Sequence, residues 1–333
     1  MSEKYWIYYD SGTSNSRIYV LDQDCKILFV KKKNVGSKDS AIAGSNRVLI
    51  EGLKELYDAA LQEMNLKDED IVDIYSSGMV TSPYGLKEVP HLVLPITVQK
   101  FADSIYCFYE DTCFHRNIYL IPGLKTVNED ISFVNNMRGE EMEILGVLDE
   151  IRDKCESKNV ALVFPGSHTH VTYVQESGIT GIISNFTGEL FHVLKTGSIL
   201  APILSTDVRE LNSDMVKKGV ENLKKFGFNR AIYICHAMRL FNEGSEADRF
   251  SYAEGVVNGG VRESLEYYCE HYWKECDTAA IIAEEFMYRL FLDIFEGSEY
   301  IKKVVWIPIS AEKSYAVEGL KKILSCKESG KNE

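Results

Sequence analysis

The feature that most constrains this chain is a pattern it uses twice. Near the N-terminus, the runs 5–9 (YWIYY), 17–21 (RIYVL) and 26–30 (KILFV) are β-branched and aromatic and are separated by turn formers, so they read as consecutive antiparallel strands. At 160–185, VALVFPGSHTHVTYVQESGITGIIS repeats strand, Gly-hydroxyl turn, strand, tight turn, strand, with Gly166-Ser167 in the place of Gly12-Thr13. A repeat spaced by roughly 150 residues predicts two structurally similar domains, each opening on a hairpin with a glycine tip. The boundaries expected are 1–155 and 156–333, in an α/β architecture. The intervening and following segments fit. A helix is expected over 46–63, strands at 71–75 and 117–121, a helix near 212–226 and a strand at 230–235. Long helices over 248–275 and 277–296, a strand at 303–309 and a last helix at 312–325 complete the expectation.

Glycine tips of this kind carry phosphate chemistry. A residue without Cβ lets a phosphate reach the main chain, and neighbouring hydroxyls and N–H groups donate to its oxygens. Gly12, Thr13, Ser14 and Asn15 are the candidates at the first tip, and Gly166, Ser167 and His168 at the second. Asp10 ends the strand before the first tip, where a carboxylate holds a magnesium ion through water; a turn aspartate capping its own loop is the plain alternative. Phosphoryl transfer further needs a base on the acceptor hydroxyl. The stretch NNMRGEEMEILG at 135–146 has the polar start and early acids of a helix N-terminus. Arg138 there is a candidate for holding a substrate carboxylate, and Glu140, or Glu141 in its stead, for the base. Surface acids that complement the helix dipole are the plain alternative. His168 and His170 share a strand face, and two histidines without a third ligand read better as a hydrogen-bonded edge than as a metal pair.

Composition narrows the partners. Against 37 Lys+Arg stand 50 Asp+Glu, a net charge of -13 that repels nucleic acid and anionic lipid. The eight cysteines are scattered, with no CxxC pair, as in a reduced compartment and without structural zinc. The N-terminus MSEKYWIYYDSG has no basic leader and apolar run, and no span approaches membrane length, so a cytoplasmic location is expected.

In order along the chain, DSGTSNSR (10–17), SSGMVTSPYG (76–85), VPHLVLP (89–95), IYLIPGLK (118–125), NNMRGEEMEILG (135–146), FPGSHTH (164–170), NFTGELFHVLKTGSIL (185–200) and SYAEGVVNGG (251–260) resemble the motifs of the 2-dehydro-3-deoxygalactonokinase family. The resemblance implies a two-domain actin-like ATPase (ribonuclease H-like) fold with an interdomain ATP cleft. It also implies ATP-dependent, magnesium-requiring phosphorylation of a 2-keto-3-deoxy sugar acid, 2-dehydro-3-deoxy-D-galactonate. It adds Gly78, Met79, Thr187, Gly188 and Glu189 to the substrate candidates beside Arg138, and Gly259 to the nucleotide candidates. Expected partners are the sugar acid and ATP, with no nucleic acid or membrane, and a homodimer is left open. Three departures stand out. His170 replaces a lysine, which predicts weaker or pH-dependent phosphate affinity; Pro308-Ile309 replaces a glycine expected near adenine; and Leu86 replaces a tryptophan in a segment expected near the sugar acid. They leave room for a kinase of another small sugar or acid, or for a non-catalytic nucleotide- or sugar-binding regulator.

Overall fold

The computed structural model describes residues 4–329 except 177, 209, 311 and 312. The chain forms two compact units, one from the residues up to Leu148 together with those from Ser314 onward, the other from Asp149–Lys313.

In the first unit, Tyr5–Ser11, Ser16–Leu21 and Ile27–Lys33 form the expected antiparallel meander, within a few residues of the expected limits. Ile71–Gly78 then pairs parallel to Tyr5–Ser11, and Arg116–Leu120 parallel to Ile71–Gly78. Tyr106–Glu110 closes the edge antiparallel to Arg116–Leu120. In the second unit the same plan recurs. Asn159–Phe164, His168–Gln175 and Gly178–Phe186 are the antiparallel meander, and Thr278–Ala283 and Lys303–Pro308 continue the sheet in parallel beside Asn159–Phe164. Each meander thus leads with its first strand into a parallel half-sheet, and the short repeat seen in the sequence extends to whole-sheet topology.

Two element assignments are corrected. The run at 230–235 lies inside a helix, Phe228–Leu240, in which Ala231, Ile232 and Cys235 are buried. An apolar run this short suits a strand or one face of a helix equally. Residues 277–296 do not form one helix: Thr278–Ala283 is a strand with all six residues buried, and the helix is Glu285–Phe295. A strand buried on both faces loses the alternation that marks strands, so TAAIIA carries no period-two signal. The long helix runs Glu246–His271, started by a capping box between Ser245 and Asp248.

The division also differs from 1–155 and 156–333, because the last helix, Tyr315–Ser329, belongs to the first unit. It crosses the helix Glu140–Lys154 at paired glycines. A Cβ on Gly146 would come within 1.9 Å of the Tyr315 carbonyl oxygen, and one on Gly319 within 2.1 Å of the Met142 carbonyl oxygen. Backbones this close need glycine on both sides, and that contact draws the C-terminus back onto the N-terminal unit. The first unit's core centres on Ile7, Tyr9, Leu53, Tyr57 and Ile118, and the second unit's on Val163, Tyr173, Leu265 and Phe291. No described helix is long and apolar enough to cross a membrane.

Candidate active site

In the first unit, strand pairing places Asp10 opposite Arg17 across the hairpin and beside Ser77 on the parallel strand. The tip closes through Gly12 N–H donating to the Asn15 carbonyl at 2.8 Å, and the Ser11 and Ser16 hydroxyls bond at 2.7 Å beneath it. Thr13 and Ser14 are exposed, as a binding tip requires. The next strand ends at Gly78, whose φ of +85° and lack of Cβ let it sit where a side chain would be 2.4 Å from the Ser11 carbonyl oxygen. Met79 then opens a single 3-10 turn, Met79–Thr81. Gly139, at φ +121°, lies over Gly78, with its Cβ position 3.7 Å from the Gly78 Cα. The helix Glu140–Lys154 therefore starts beside the end of the Asp10 strand.

That arrangement gathers four carboxyl groups. Asp10 is half-buried, and its carboxyl is raised above its ordinary value by burial, with Arg17 opposing and Glu140 adding to the rise. Glu141 is fully buried. Its Oε2 accepts from Gly139 N–H at 2.6 Å, Oε1 has no hydrogen-bond partner, and burial followed by Glu140 pushes it up to about 8. Glu143 was missed in the sequence reading, although its spacing of three from Glu140 puts both on one helix face. Glu143 is exposed to water, and the protein packed around it, followed by Asp10 and Glu140, raises its carboxyl above the ordinary value.

Arg138 is not arranged as a carboxylate clamp. Its Nη1 donates to the Thr81 carbonyl at 2.7 Å and to the Thr81 hydroxyl, and its Nη2 to the Val89 carbonyl at 3.4 Å and to the His91 ring at 3.1–3.2 Å. The parallel N–H groups that would grip a carboxylate are thus turned onto protein acceptors. His91 is pushed down to about 4 by burial, by Arg138 and by Lys125.

In the second unit, the helix Gly188–Gly197 starts against the second tip. Glu189 N–H donates to the Ser167 carbonyl at 2.8 Å, Thr169 and Thr187 hydroxyls bond at 2.8 Å, and His168 Nε2 lies 3.2 Å from Glu189 Oε2. A Cβ on Gly188 would fall 2.3 Å from the Gly166 carbonyl oxygen, so the cradle exists because Gly188 is glycine. Gly166, Ser167, His168, Thr187, Gly188 and Glu189 therefore form one cluster, with the last three packed against the second glycine tip. Exposed tip residues next to a helix N-terminus suit an anion.

Several expected contacts are not brought to these sites. Gly259 lies in mid-helix, where its Cβ would meet Leu223 at 3.1 Å and Val220 at 3.3 Å; with Gly219 and Gly255 it lets two helices cross closely and serves packing. His170 is buried and bonds Ser184 at 3.1 Å, the hydrogen-bonded edge expected for it. Leu86 is in the first unit's core rather than on a sugar-facing surface. Ile309 follows the last strand and donates to the Ala283 carbonyl at 3.4 Å. Glu254, unassigned in the sequence reading, is buried beside Asn258, which donates to it at 2.8 Å, and burial pushes it up to about 8.

The described residues contain no group of three His, Cys, Asp or Glu placed to hold a metal ion. The donors at Asp10 are nonetheless of the kind magnesium takes. It binds hard oxygen, keeps several waters, and is held by one or two carboxylates together with phosphate oxygens.

Residues 10–320 match the sequence profile of the family described as 2-keto-3-deoxy-galactonokinase. Among curated proteins, the chain is 28% identical over 153 residues to 2-dehydro-3-deoxygalactonokinase of Escherichia coli (strain K12), covering 46% of this chain and 47% of that one. It is 23% identical over 197 residues to a protein of Rhizobium meliloti (strain 1021) described as a probable 2-dehydro-3-deoxygalactonokinase, covering 59% and 58% respectively. The chain thus spans about half the length of the curated relatives it matches. A solved structure from Sinorhizobium meliloti, put forward as a 2-dehydro-3-deoxygalactonokinase, superposes with a TM-score of 0.76 at 18% identity over 98% of this chain and 99% of that one. A profile match over nearly the whole length and a sheet plan used twice lead to one conclusion: the chain belongs to the 2-keto-3-deoxy-galactonokinase family and has the two-domain actin-like ATPase fold.

Proposed function

We propose that the protein is an ATP-dependent kinase that phosphorylates a hydroxyl of a 2-keto-3-deoxy sugar acid, 2-dehydro-3-deoxy-D-galactonate. The observation that carries this reading is the gathering of Asp10, Glu140 and Glu143 at the end of the first hairpin strand, next to an open glycine tip. Carboxylates concentrated beside a phosphate loop oppose anion binding unless a cation joins them, and a magnesium nucleotide brings that cation. When bound, magnesium would neutralise charge on the β- and γ-phosphates, with Asp10 holding it through water. Gly12, Thr13, Ser14 and Asn15 would donate to phosphate oxygens at one tip. Gly166, Ser167 and His168, backed by the first turn of the helix Gly188–Gly197, would do so at the other.

Glu140 is the base in this reading. It is partly accessible, whereas Glu141 is fully buried and tied to Gly139, so Glu141 positions the turn. Glu140 would take the proton of the acceptor hydroxyl as its oxygen bonds to the γ-phosphorus, and the bond from that phosphorus to the ADP oxygen breaks. The segments that motivated other readings now have structural roles, Leu86 in a core and His170 at a buried strand edge. Release of ADP in the presence of magnesium, ATP and a panel of sugar acids tests the proposal. Turnover should be greatest with 2-dehydro-3-deoxygalactonate. No turnover with any acid, in a protein that still binds ATP, would identify a nucleotide-binding regulator instead.

A further inference from the structure

With the Arg138 fork spent on Thr81, Val89 and His91, a sugar acid needs another group for its carboxylate, in a chain whose net charge of -13 repels it. A small sheet in the first unit supplies one. Leu92–Val93 pairs parallel to Leu124–Lys125, and Asn136–Met137 pairs antiparallel to the same two residues. Val93, Lys125 and Asn136 form one row across the sheet, and Leu92, Leu124 and Met137 the next. His91, Gly123 and Arg138 continue it, and side chains alternate, so the first and third rows share a face. Leu124 and Met137 are buried on the other side, while Val93 and Asn136 are exposed and Lys125 half-exposed. The face carrying Lys125, His91 and Arg138 is therefore the open one.

Gly123 makes this face work. A Cβ there would be 2.9 Å from the His91 ring and 3.3 Å from the Arg138 Cβ, so the imidazole and guanidinium meet across the gap that the missing side chain leaves. Arg138 has only donors, and its Nη2 lies 3.1–3.2 Å from both His91 ring nitrogens, so the guanidinium holds the ring in place. Lys125 is close enough to act on the His91 ring electrostatically, and it forms no ion pair among the described residues. Glu88 offsets part of the Arg138 charge, and Lys125 is left as the cation with unspent donors.

We propose that Lys125 binds the carboxylate of the acid substrate, with Arg138 and His91 as the positioning pair beside it on the same sheet face. This inference rests on the sugar-acid kinase reading of the same unit. It gives VPHLVLP and IYLIPGLK a shared purpose as two walls of one anion site. Binding of 2-dehydro-3-deoxygalactonate, and of its analogue with a hydroxymethyl group in place of the carboxylate, would be measured calorimetrically for the full chain and for Lys125→Gln and Lys125→Arg. For Lys125→Gln, affinity for the acid should fall about 30- to 300-fold, as expected on losing a partly desolvated charge-assisted pair, with affinity for the analogue kept within about threefold. Lys125→Arg should recover most of the loss, and the KM for ATP should stay unchanged in all three proteins. Wild-type affinity for the acid in Lys125→Gln, or equal losses for acid and analogue, would overturn the assignment while the kinase reading stands. A wild-type protein that neither binds nor turns over the acid would overturn both.

Discussion

Replacing Arg138 by lysine separates two roles that an arginine next to a sugar-acid site can have. In the structure its guanidinium donates to two carbonyls, one hydroxyl and one imidazole, all within the first unit. An ammonium on a flexible stem keeps the charge but cannot reach acceptors on Thr81, Val89 and His91 at once. Losing two hydrogen bonds to a charged donor, in a site that is only half-buried, costs about 2–4 kcal/mol. For a unit of this size each kcal/mol moves the melting temperature by roughly 2–4 °C, so a drop of about 4–16 °C is expected. Because the His91 ring loses its anchor, kcat/KM should fall for the sugar acid. The hydroxymethyl analogue should lose less, since the fall comes through the placement of Lys125 and not through direct contact. Calorimetric melting and steady-state kinetics on both compounds, for wild type and Arg138→Lys, give the answer. An unchanged melting temperature with a loss confined to the acid would refute the scaffold role and return the guanidinium to the substrate.

Three further outcomes follow from the same geometry. Asp10→Asn should lower kcat about 100- to 1,000-fold, as removal of a transition-state electrostatic group does, without lowering the melting temperature, because burial already disfavours the Asp10 carboxylate; an unchanged kcat at saturating magnesium removes Asp10 from the site. Gly188→Ala places a Cβ 2.3 Å from the Gly166 carbonyl oxygen, which must displace the second tip, so the KM for ATP should rise about tenfold or more while the sugar-acid KM holds; native ATP affinity would dissociate that helix from nucleotide binding. Glu141 has a folded pKa of about 8 against an ordinary 4.5, so the folded state holds a proton that the unfolded state has lost between those values. Stability contributed at low pH is therefore lost as pH rises from about 4.5 to 8, by up to a few kcal/mol. Glu141→Gln should remove that part of the slope in denaturant titrations, and parallel pH curves for the two proteins would show that Glu141 is ionised in the fold.

The parts of this protein legible in its sequence were those encoded in contiguous residues. Both hairpins could be read because alternation, turn chemistry and the glycine tips lie within about 25 residues of each other. The helix starting at the RGEE stretch was readable from its acids, and Glu143 could have been read with them by helical spacing. Contacts between remote segments were not legible. Nothing local marks Gly146 and Gly319 as partners, so the return of the last helix to the first unit was hidden, and nothing local marks Gly259, a nucleotide candidate by resemblance, as a helix-crossing glycine. Arg138 shows the same limit from the chemical side. Its residue type and position fit a carboxylate clamp, and only the positions of Thr81 and Val89, more than forty residues away in the chain, reveal that its donors are already taken.

In a protein with 50 acidic and 37 basic side chains, a cation within reach of a glycine-rich site will ordinarily find an acid, as Lys54, Lys154 and Lys218 do along their helices. Surface pairs of that kind contribute little to stability. A lysine in a half-exposed strand, beside a histidine and an arginine and with no ion-pair partner among the described residues, keeps its charge at the cost of repulsion from the arginine. Folding alone gains nothing from that arrangement, since Lys125→Gln would remove the repulsion and keep the strand. The residue therefore points to an anionic ligand that is absent from the folded chain itself. It follows that Lys125→Gln should melt at the same or a slightly higher temperature than wild type. In the presence of saturating sugar acid the order should reverse, because ligand binding stabilises the native state in proportion to affinity. A variant that melts lower than wild type without ligand would mean that Lys125 supports the sheet, and the argument from its unpaired charge would fail.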